Sequence, residues 1–422
     1  MSLHFKYLLA GGGVASSTAA QAIRQRDPQG SILLVAQEQI RPYHRPPLSK
    51  DYLGGSRDRP QLFTQSPDWY DQHRVTLYTG CRVVRIDVPR QAVVLDNGQT
   101  ISFQNLLIAI GGTARVLHIP GTDLPNIFAL RTVDDADRLA TGAEKALAEG
   151  QPHERGRGVA TVIGGGLLGV ELSATLTRMG LLTHLVSGGG WPWHRIAGQS
   201  TGRFLEHYLE DHGVRVHCGQ RVRALEGDGR VQRVLLDEQV IETDLVIPAI
   251  GLHVNRDLLG GTSIAAERAI LTDDHARTNV PSIYAAGDCS AIFDPRFGKH
   301  RLFDHWDHAR TTGWLAGSNM AGGDEAFDSV GAFASDVFEL SMTAWGEPRL
   351  VDRRLIRGNP NPTAPDYIEI GVAADGRIAQ VLSVHPPGRQ VDLSELVRRR
   401  VQIDGYEEQL KDPTIPIESF LI

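Results

Sequence analysis

Three short glycine-bearing segments carry residues suited to holding phosphates and sugar hydroxyls. Gly11, Gly13 and Ser16 occupy the positions of a G-x-G-x-x-G motif. The first glycine permits a tight turn, the second lets a pyrophosphate approach the backbone, and the third position calls for a small residue so that helix and strand pack closely. Ser16 is a small substitute at that third position. Gly164, Gly166 and Gly169 repeat the motif in full. The third segment, Gly287-Asp288, ends the apolar run 283–286. A carboxylate at a strand end accepts hydrogen bonds from a polyol, and the glycine lets that polyol come close. Gly-Asp by itself is ordinarily a turn, so its weight comes from its combination with the other two segments.

A dinucleotide turn works only if a strand enters it and a helix leaves it, because the phosphates sit on the free N–H groups and positive dipole end of the helix. Both glycine turns meet this condition. Residues 7–10 read as a strand, 14–26 as a helix and 31–36 as a second strand, a βαβ unit. The pattern returns as strand 159–163, helix 167–179 and strand 183–186. The backbone of Val14 and Ala15 after the first turn, and of Leu167 and Leu168 after the second, joins the candidate set, with Gly251 on the second side. A ribose-binding carboxylate is expected about 20 residues after such a turn. At the first site the candidates are Gln37 and Glu38, with Glu38 favoured. At the second site Ser187 takes that place, followed by Gly188-Gly189-Gly190, and no acid occurs from Ser187 to Leu205. Arg195 is the nearby base, short of a cluster for a 2′-phosphate, so the choice between NADH and NADPH stays open.

The chain has 422 residues, 41% hydrophobic and 22% charged, a composition able to bury a core. Its net charge of −7 argues against general nucleic-acid binding. No apolar run long enough for a transmembrane helix occurs, and the N-terminus enters an apolar run at once, which predicts a cytoplasmic protein without a targeting segment. Cys81, Cys218 and Cys289 are far apart in sequence. They form no CxxC pair and no metal-ligand spacing, so a redox dithiol of neighbouring cysteines and a zinc site are excluded and each reads as a small hydrophobe. Residues 141–158 read as a helix end and surface loop, 321–331 as a domain boundary and 358–365 as a turn-rich loop.

Taken together, the two glycine turns, the Arg45-Pro46-Pro47-Leu48-Ser49-Lys50 segment, Leu130-Arg131-Thr132, Arg277-Thr278 and Ala286-Gly287-Asp288 resemble the FAD-dependent NAD(P)H:ferredoxin reductases of bacterial oxygenase systems. Apoptosis-inducing factor is related to that branch, and the resemblance covers essentially the whole chain. It implies an α/β fold with two Rossmann-like dinucleotide-binding domains, glutathione-reductase-like, plus a C-terminal α+β domain. The expected division is an FAD-binding domain of 1–115 and 245–325, an NAD(P)-binding domain of 116–244 and a C-terminal domain of 326–422. The FAD domain is discontinuous because Asp288 must return to the site of Gly11.

The resemblance also implies roles. FAD lies against the first βαβ unit with Asp288 on its ribitol and with Arg45 and Arg131 facing its pyrophosphate. Lys50 and Glu171 match an ion pair near the flavin N5, with catalytic and cofactor-binding roles. Trp306, within the segment Phe303 to Ala309, is the candidate aromatic beside flavin or nicotinamide, and His305 and His308 are candidate proton shuttles. The cofactor is FAD, and the co-substrate is NAD(P)H with a slight preference for NADH. The partner is a [2Fe–2S] ferredoxin, docked on Arg349, Arg353, Arg354 and Arg357 or on Arg398-Arg399-Arg400. Nucleic acid and membrane are not expected as partners, and the chain is a monomer or a homodimer. Three departures from the family stand out: Gln37 for the usual ribose acid, Ser187 for the acid expected with NADH, and Ala334 for a tryptophan that covers the flavin, where either Trp345 or another group fills the gap or the flavin face is more open. The alternatives are an NAD(P)H oxidase or quinone reductase, and a redox-responsive binding flavoprotein of the apoptosis-inducing-factor kind.

Overall fold

The computed structural model describes residues 3–149, 158–361, 365–386 and 392–421. Residues 150–157 of the stretch expected as a helix end and loop at 141–158, and 362–364 of the loop at 358–365, lie outside the described residues. The chain divides into two compact units. The first comprises Met1–Arg45, Arg59–Thr113 and Leu252–Ser329, and the second Pro46–Asp58, Ala114–Gly251 and Val330–Ile422. Pro46–Asp58, inside the stretch expected for the FAD domain, thus groups with the second unit.

In the first unit the strand Leu3–Ala10 lies between Ile32–Ala36 and Thr100–Ile108, parallel to both, and Val75–Thr79 extends the sheet beyond Ile32–Ala36. Ile283–Ala285 pairs in parallel with Thr100–Ile108, which brings Gly287-Asp288 to the same sheet end as the first glycine turn. The buried strands carry apolar residues on both faces, as parallel sheets covered on both sides require. Tyr7 and Leu9 enter one core with Ala15, Ala19 and Ile23, while Leu8 and Ala10 enter another with Leu33 and Ile108. The helix Val14–Arg26 is alanine-rich and carries Arg24 and Arg26 in its last turn, where cations suit the dipole. The helix Trp306–Met320 lies directly on it: a Cβ on Gly313 would sit 2.3 Å from the Ala15 carbonyl oxygen, and one on Gly317 2.4 Å from that of Ala19. This helix begins at Trp306.

In the second unit a parallel sheet runs in the order Arg215–Cys218, Leu182–Ser187, Val159–Ile163, Leu245–Pro248. The helix Leu167–Arg178 follows the second glycine turn. A five-stranded antiparallel sheet is built from Ala332–Val337, Leu340–Gly346, Ile378–His385, Asp366–Val372 and Arg353–Asn359, in that spatial order. Its long cross-strand runs end in the short helices Ser394–Arg398 and Glu407–Lys411.

Candidate functional site

The two glycine turns have nearly the same backbone. Gly11 sits at φ +131° and a Cβ there would lie 2.1 Å from the Ala109 carbonyl oxygen. Gly164 sits at φ +127° and its Cβ would lie 2.3 Å from that of Ala249. Only glycine fits such a conformation at so close an approach. Each turn then opens a helix whose N-cap, Gly13 or Gly166, has no side-chain cap, and neither first turn carries an acid. A Cβ on either N-cap glycine would meet nothing within 4 Å. Uncapped N–H groups facing open space at a positive dipole end are what a pyrophosphate needs, so both turns fit a dinucleotide. The third positions differ. A Cβ on Gly169 would fall 1.8 Å from the Gly164 carbonyl oxygen, whereas Ser16 is fully buried with no hydrogen-bond partner for its hydroxyl.

Around the first turn the structure gathers the expected residues. Gly287 is at φ +75°, and a Cβ on it would sit 3.3 Å from that of Ala15, so the Gly287-Asp288 turn lies against the start of the first helix. Its N–H donates to Thr312 Oγ1 at 3.0 Å, and that hydroxyl donates to the His308 carbonyl at 2.6 Å. Glu38 follows the strand Ile32–Ala36. It accepts from Arg45 at Oε1 (2.7 Å) and from the Tyr43 hydroxyl at Oε2 (2.7 Å), while Arg45 also donates to Tyr43 at 2.8 Å. Burial opposes the Arg45 charge, but Tyr43, Glu38 and Asp288 outweigh it and its pKa is raised. Glu38 is therefore engaged in holding Arg45, and Gln37 beside it is exposed. Tyr43 was not legible as a site residue, although it lies two residues before Arg45.

Trp306 is the first residue of its helix, 38% exposed, and donates from Nε1 to His44 Nδ1 at 3.0 Å. His308 cannot act as the expected proton shuttle. Burial pushes it down to about 3, with the His305 and Arg301 charges adding, and both its ring nitrogens are without a hydrogen-bond partner. Phe303 and Phe327 pack around it.

In the second unit the loop after Ser187 folds over the second turn. Trp193, at φ +61°, donates its N–H to the Gly165 carbonyl at 2.8 Å. Ser187 is buried and accepts from the Gly189 N–H at 3.3 Å. A Cβ on Gly189 would lie 2.1 Å from His194 Nδ1, so the triglycine is where this histidine packs on bare backbone. Gly251, at φ +100°, accepts from the Arg115 N–H at 3.0 Å just past the strand Leu245–Pro248. Arg131 opens the helix Val133–Glu149 and donates its N–H to Asp135 at 3.1 Å.

Glu171 and Lys50 meet as the sequence predicts. Lys50 Nζ is 2.7 Å from Glu171 Oε1, on a carboxylate only 10% exposed. Two hydroxyls that sequence reasoning missed complete the shell: Ser49 donates to Oε2 at 2.6 Å and Ser335 to Oε1 at 2.7 Å. Ser49 adjoins Lys50 in the chain, but nothing in the sequence ties Ser335 to a residue 164 positions away. A buried carboxylate needs such donors to offset lost hydration. Ala334 is exposed, and Trp345, across the hairpin from Ala332, shares its face one diagonal away.

The arginines expected to form a docking face are tied up internally. Arg349 chelates Glu347, Arg353 holds Asp404 and Glu407, and Arg357 donates to the carbonyls of Leu410, Asp412 and Ile415. Arg398 and Arg399 pair with Glu395, and Arg400 with Asp375. Their charges are largely compensated where they stand. The three cysteines are free; burial pushes Cys218 and Cys289 up to about 12 and raises Cys81 as well. Thiolate chemistry is suppressed at all three.

The sequence model of the pyridine nucleotide-disulphide oxidoreductases matches residues 5–313. The chain belongs to this family. It is 29% identical to the ferredoxin reductase component of chlorobenzene dioxygenase from Cupriavidus sp. (strain PS12), over 94% of this chain and 93% of that one. It is 30% identical to monodehydroascorbate reductase 2 of Arabidopsis thaliana, over 86% of each. Among solved structures it superposes on the covalent putidaredoxin reductase–putidaredoxin complex with a TM-score of 0.90 and 25% identity, covering 99% of this chain and 98% of that one. The match extends through both glycine turns and carries the two-Rossmann fold of this oxidoreductase family. No helix among the described residues is long and apolar enough to cross a membrane.

Proposed function

We propose that this oxidoreductase takes hydride from NAD(P)H through FAD and passes single electrons to a [2Fe–2S] ferredoxin that serves an oxygenase, in the cytoplasm. What carries the reading is the pair of uncapped glycine turns, each opening a helix N-terminus onto empty space, in a chain whose relatives include a dioxygenase's ferredoxin reductase component. When bound, FAD supplies the conversion from two-electron to one-electron transfer.

The residues then take these roles. The backbone of Gly11, Gly13, Val14, Ala15 and Ser16 cradles the FAD pyrophosphate, with Arg45 as its counter-charge, aimed by Glu38 and Tyr43. Asp288 binds ribitol hydroxyls from a turn that Thr312 holds in place. Trp306 and its partner His44 flank the flavin side. Gly164, Gly166 and Gly169, with Leu167 and Leu168, receive the nicotinamide dinucleotide. Lys50 and Glu171 orient the nicotinamide, and Ser49 and Ser335 keep that carboxylate aimed. We assign FAD binding to 1–115 and 245–325 and NAD(P) binding to 116–244, with 326–422 as the C-terminal domain and Pro46–Asp58 lending Lys50 to the second unit.

The test is anaerobic stopped-flow reduction of the yellow protein by NADH and by NADPH, followed by reoxidation with ferredoxin or air. Fast bleaching and a large rate gain with ferredoxin support the reading. A protein that neither nucleotide bleaches, or that ferredoxin does not reoxidise, overturns it. A second reading has its own observation: Ala334 is exposed where family members carry a covering tryptophan, and a monodehydroascorbate reductase is among the relatives. A small organic acceptor, such as a quinone, would then outcompete ferredoxin in the same assay.

A further inference from the structure

The loop that lies on the second glycine turn is gripped from outside the Rossmann sheet. It runs from Ser187, at the end of Leu182–Ser187, to Gly198, the N-cap of the helix Gln199–Asp211. Three residues of the five-stranded sheet hold it. Glu369, on Asp366–Val372, accepts the Gly198 N–H at 2.9 Å. Arg354, on Arg353–Asn359, donates to the Ile196 carbonyl at 3.2 Å. The ring of Phe333, on Ala332–Val337, meets Trp193 edge-on at 5.7 Å. Arg354 and Glu369 are also paired with each other, and Arg354 donates on to Gln380 at 2.9 Å. Glu369 is 1% exposed, and its Oε2 has no hydrogen-bond partner.

We infer that the Arg354–Glu369 pair is a positioning device for the nicotinamide nucleotide: it pins 196–198 so that the Ser187–Arg195 stretch keeps its shape over the Gly164–Gly169 turn. The inference rests on the reading of that turn as a nicotinamide dinucleotide site. The physical argument is one of stiffness. Residues 188–190 are three successive glycines, whose backbone is the most costly to order. Trp193 also holds a left-handed conformation as its N–H reaches Gly165, a strained state for a bulky residue. The loop's own bonds, from the Ile196 and Ala197 N–H groups to the Trp193 carbonyl and from Trp191 Nε1 to the Ala197 carbonyl, gather only its second half and leave the triglycine without side chains. Anchors at its far end, from a rigid sheet, bear the cost of ordering it, and a buried charge pair is well suited because losing one partner strands the other. Neither residue is placed to touch the nucleotide, so the pair acts on its binding and not on hydride transfer.

The experiment uses the FAD-loaded protein and anaerobic stopped-flow reduction over a range of NADH and NADPH concentrations. This separates the apparent Kd from the limiting rate. Glu369→Ala should raise the apparent Kd by about tenfold, the scale of a lost hydrogen bond to a charged group, with the limiting rate unchanged within about twofold. Arg354→Lys, which keeps the charge for Glu369, should stay within about threefold of the parent's apparent Kd, whereas Arg354→Ala should weaken binding as Glu369→Ala does. Hydrogen exchange of the 188–198 amides should speed up in Glu369→Gln, a variant that keeps side-chain volume and so guards against simple misfolding. An unchanged Kd in either Glu369 variant, or a loss confined to the limiting rate, overturns the inference while leaving the nucleotide reading intact. Failure of both nucleotides to reduce the parent protein overturns the nucleotide reading and the inference with it.

Discussion

At the first glycine turn the next strand leads into a carboxylate, Glu38, locked to Arg45 and Tyr43; at the second it ends in Ser187 and three glycines. The turns themselves differ little, with φ of +131° and +127° and carbonyls 2.1 and 2.3 Å from a hypothetical Cβ. Sterics set the backbone, and both sites obey the same sterics. The residues beyond each strand end answer to the ligand. The first site is rigid, charged and tied by short hydrogen bonds, as suits a cofactor that stays. The second is bare backbone stiffened from elsewhere, as suits a co-substrate that must leave after each turnover. On the proposed assignment, one supersecondary unit serves retention at the first turn and exchange at the second according to a handful of side chains beyond it.

The strongest way to break the comparison is to destroy each turn in the same manner. Gly11→Ala should yield protein without bound flavin and with a lowered Tm, because a Cβ drives into the Ala109 carbonyl. Gly164→Ala should keep its flavin and lose reduction by nicotinamide on the order of a hundredfold, the cost of a misplaced reactant. Absorbance of the purified variants near the flavin band, and stopped-flow reduction, check both. If Gly164→Ala also loses flavin, the two turns do not have separate tasks.

A smaller effect tests the locked carboxylate. Arg45→Ala and Glu38→Ala should each weaken FAD retention by about tenfold, the scale of one charge-assisted hydrogen bond, and the double variant by little more, since they act as one group. Equilibrium dialysis of flavin measures this; additive losses would mean that Glu38 binds FAD on its own account. At the second turn, Ser187→Glu should shift the ratio of NADH to NADPH efficiency toward NADH by about tenfold, through a carboxylate that accepts the ribose hydroxyls and repels a 2′-phosphate. An unmoved ratio would show that the strand end does not read the ribose.

The smallest effect belongs to the flavin-side unit alone. Folded, His308 stays neutral down to about pH 3; unfolded, it takes up a proton below its ordinary 6.5. The unfolded chain therefore binds more protons between those values, and stability falls as pH drops through 6.5 toward 3, with no contribution above 6.5. Arg301 and His305, which face it, act in the same direction. Between pH 7 and pH 6 the loss is under about 1 kcal/mol, and His308→Phe should flatten it in a chemical-denaturation series. A steeper decline in the variant would place the acid-sensitive group elsewhere.

Both βαβ units and their glycine turns were legible in the chain itself, because they rest on local rules, whereas the Lys50–Glu171 pair followed only from the resemblance to the family. Short continuous apolar runs, an alanine-rich helix and glycines at two forced positive φ values leave little choice. The return of Gly287-Asp288 to the first turn followed from the same resemblance, since a strand entering Gly-Asp does not by itself say which sheet it joins. The sequence misled where several positions carried the same charge. A run of arginines reads as a row of free charges until each is seen paired, and a histidine reads as a proton carrier until burial holds it neutral. Only the tertiary structure decided that Ser335 reaches Glu171, that Tyr43 and Glu38 serve Arg45, and that Arg354 and Glu369 grip the far end of a glycine loop. Those partners lie up to 171 residues apart, as Gly198 and Glu369 do. No local propensity encodes such a meeting, because it is set by how sheets and helices pack once the chain has closed on itself.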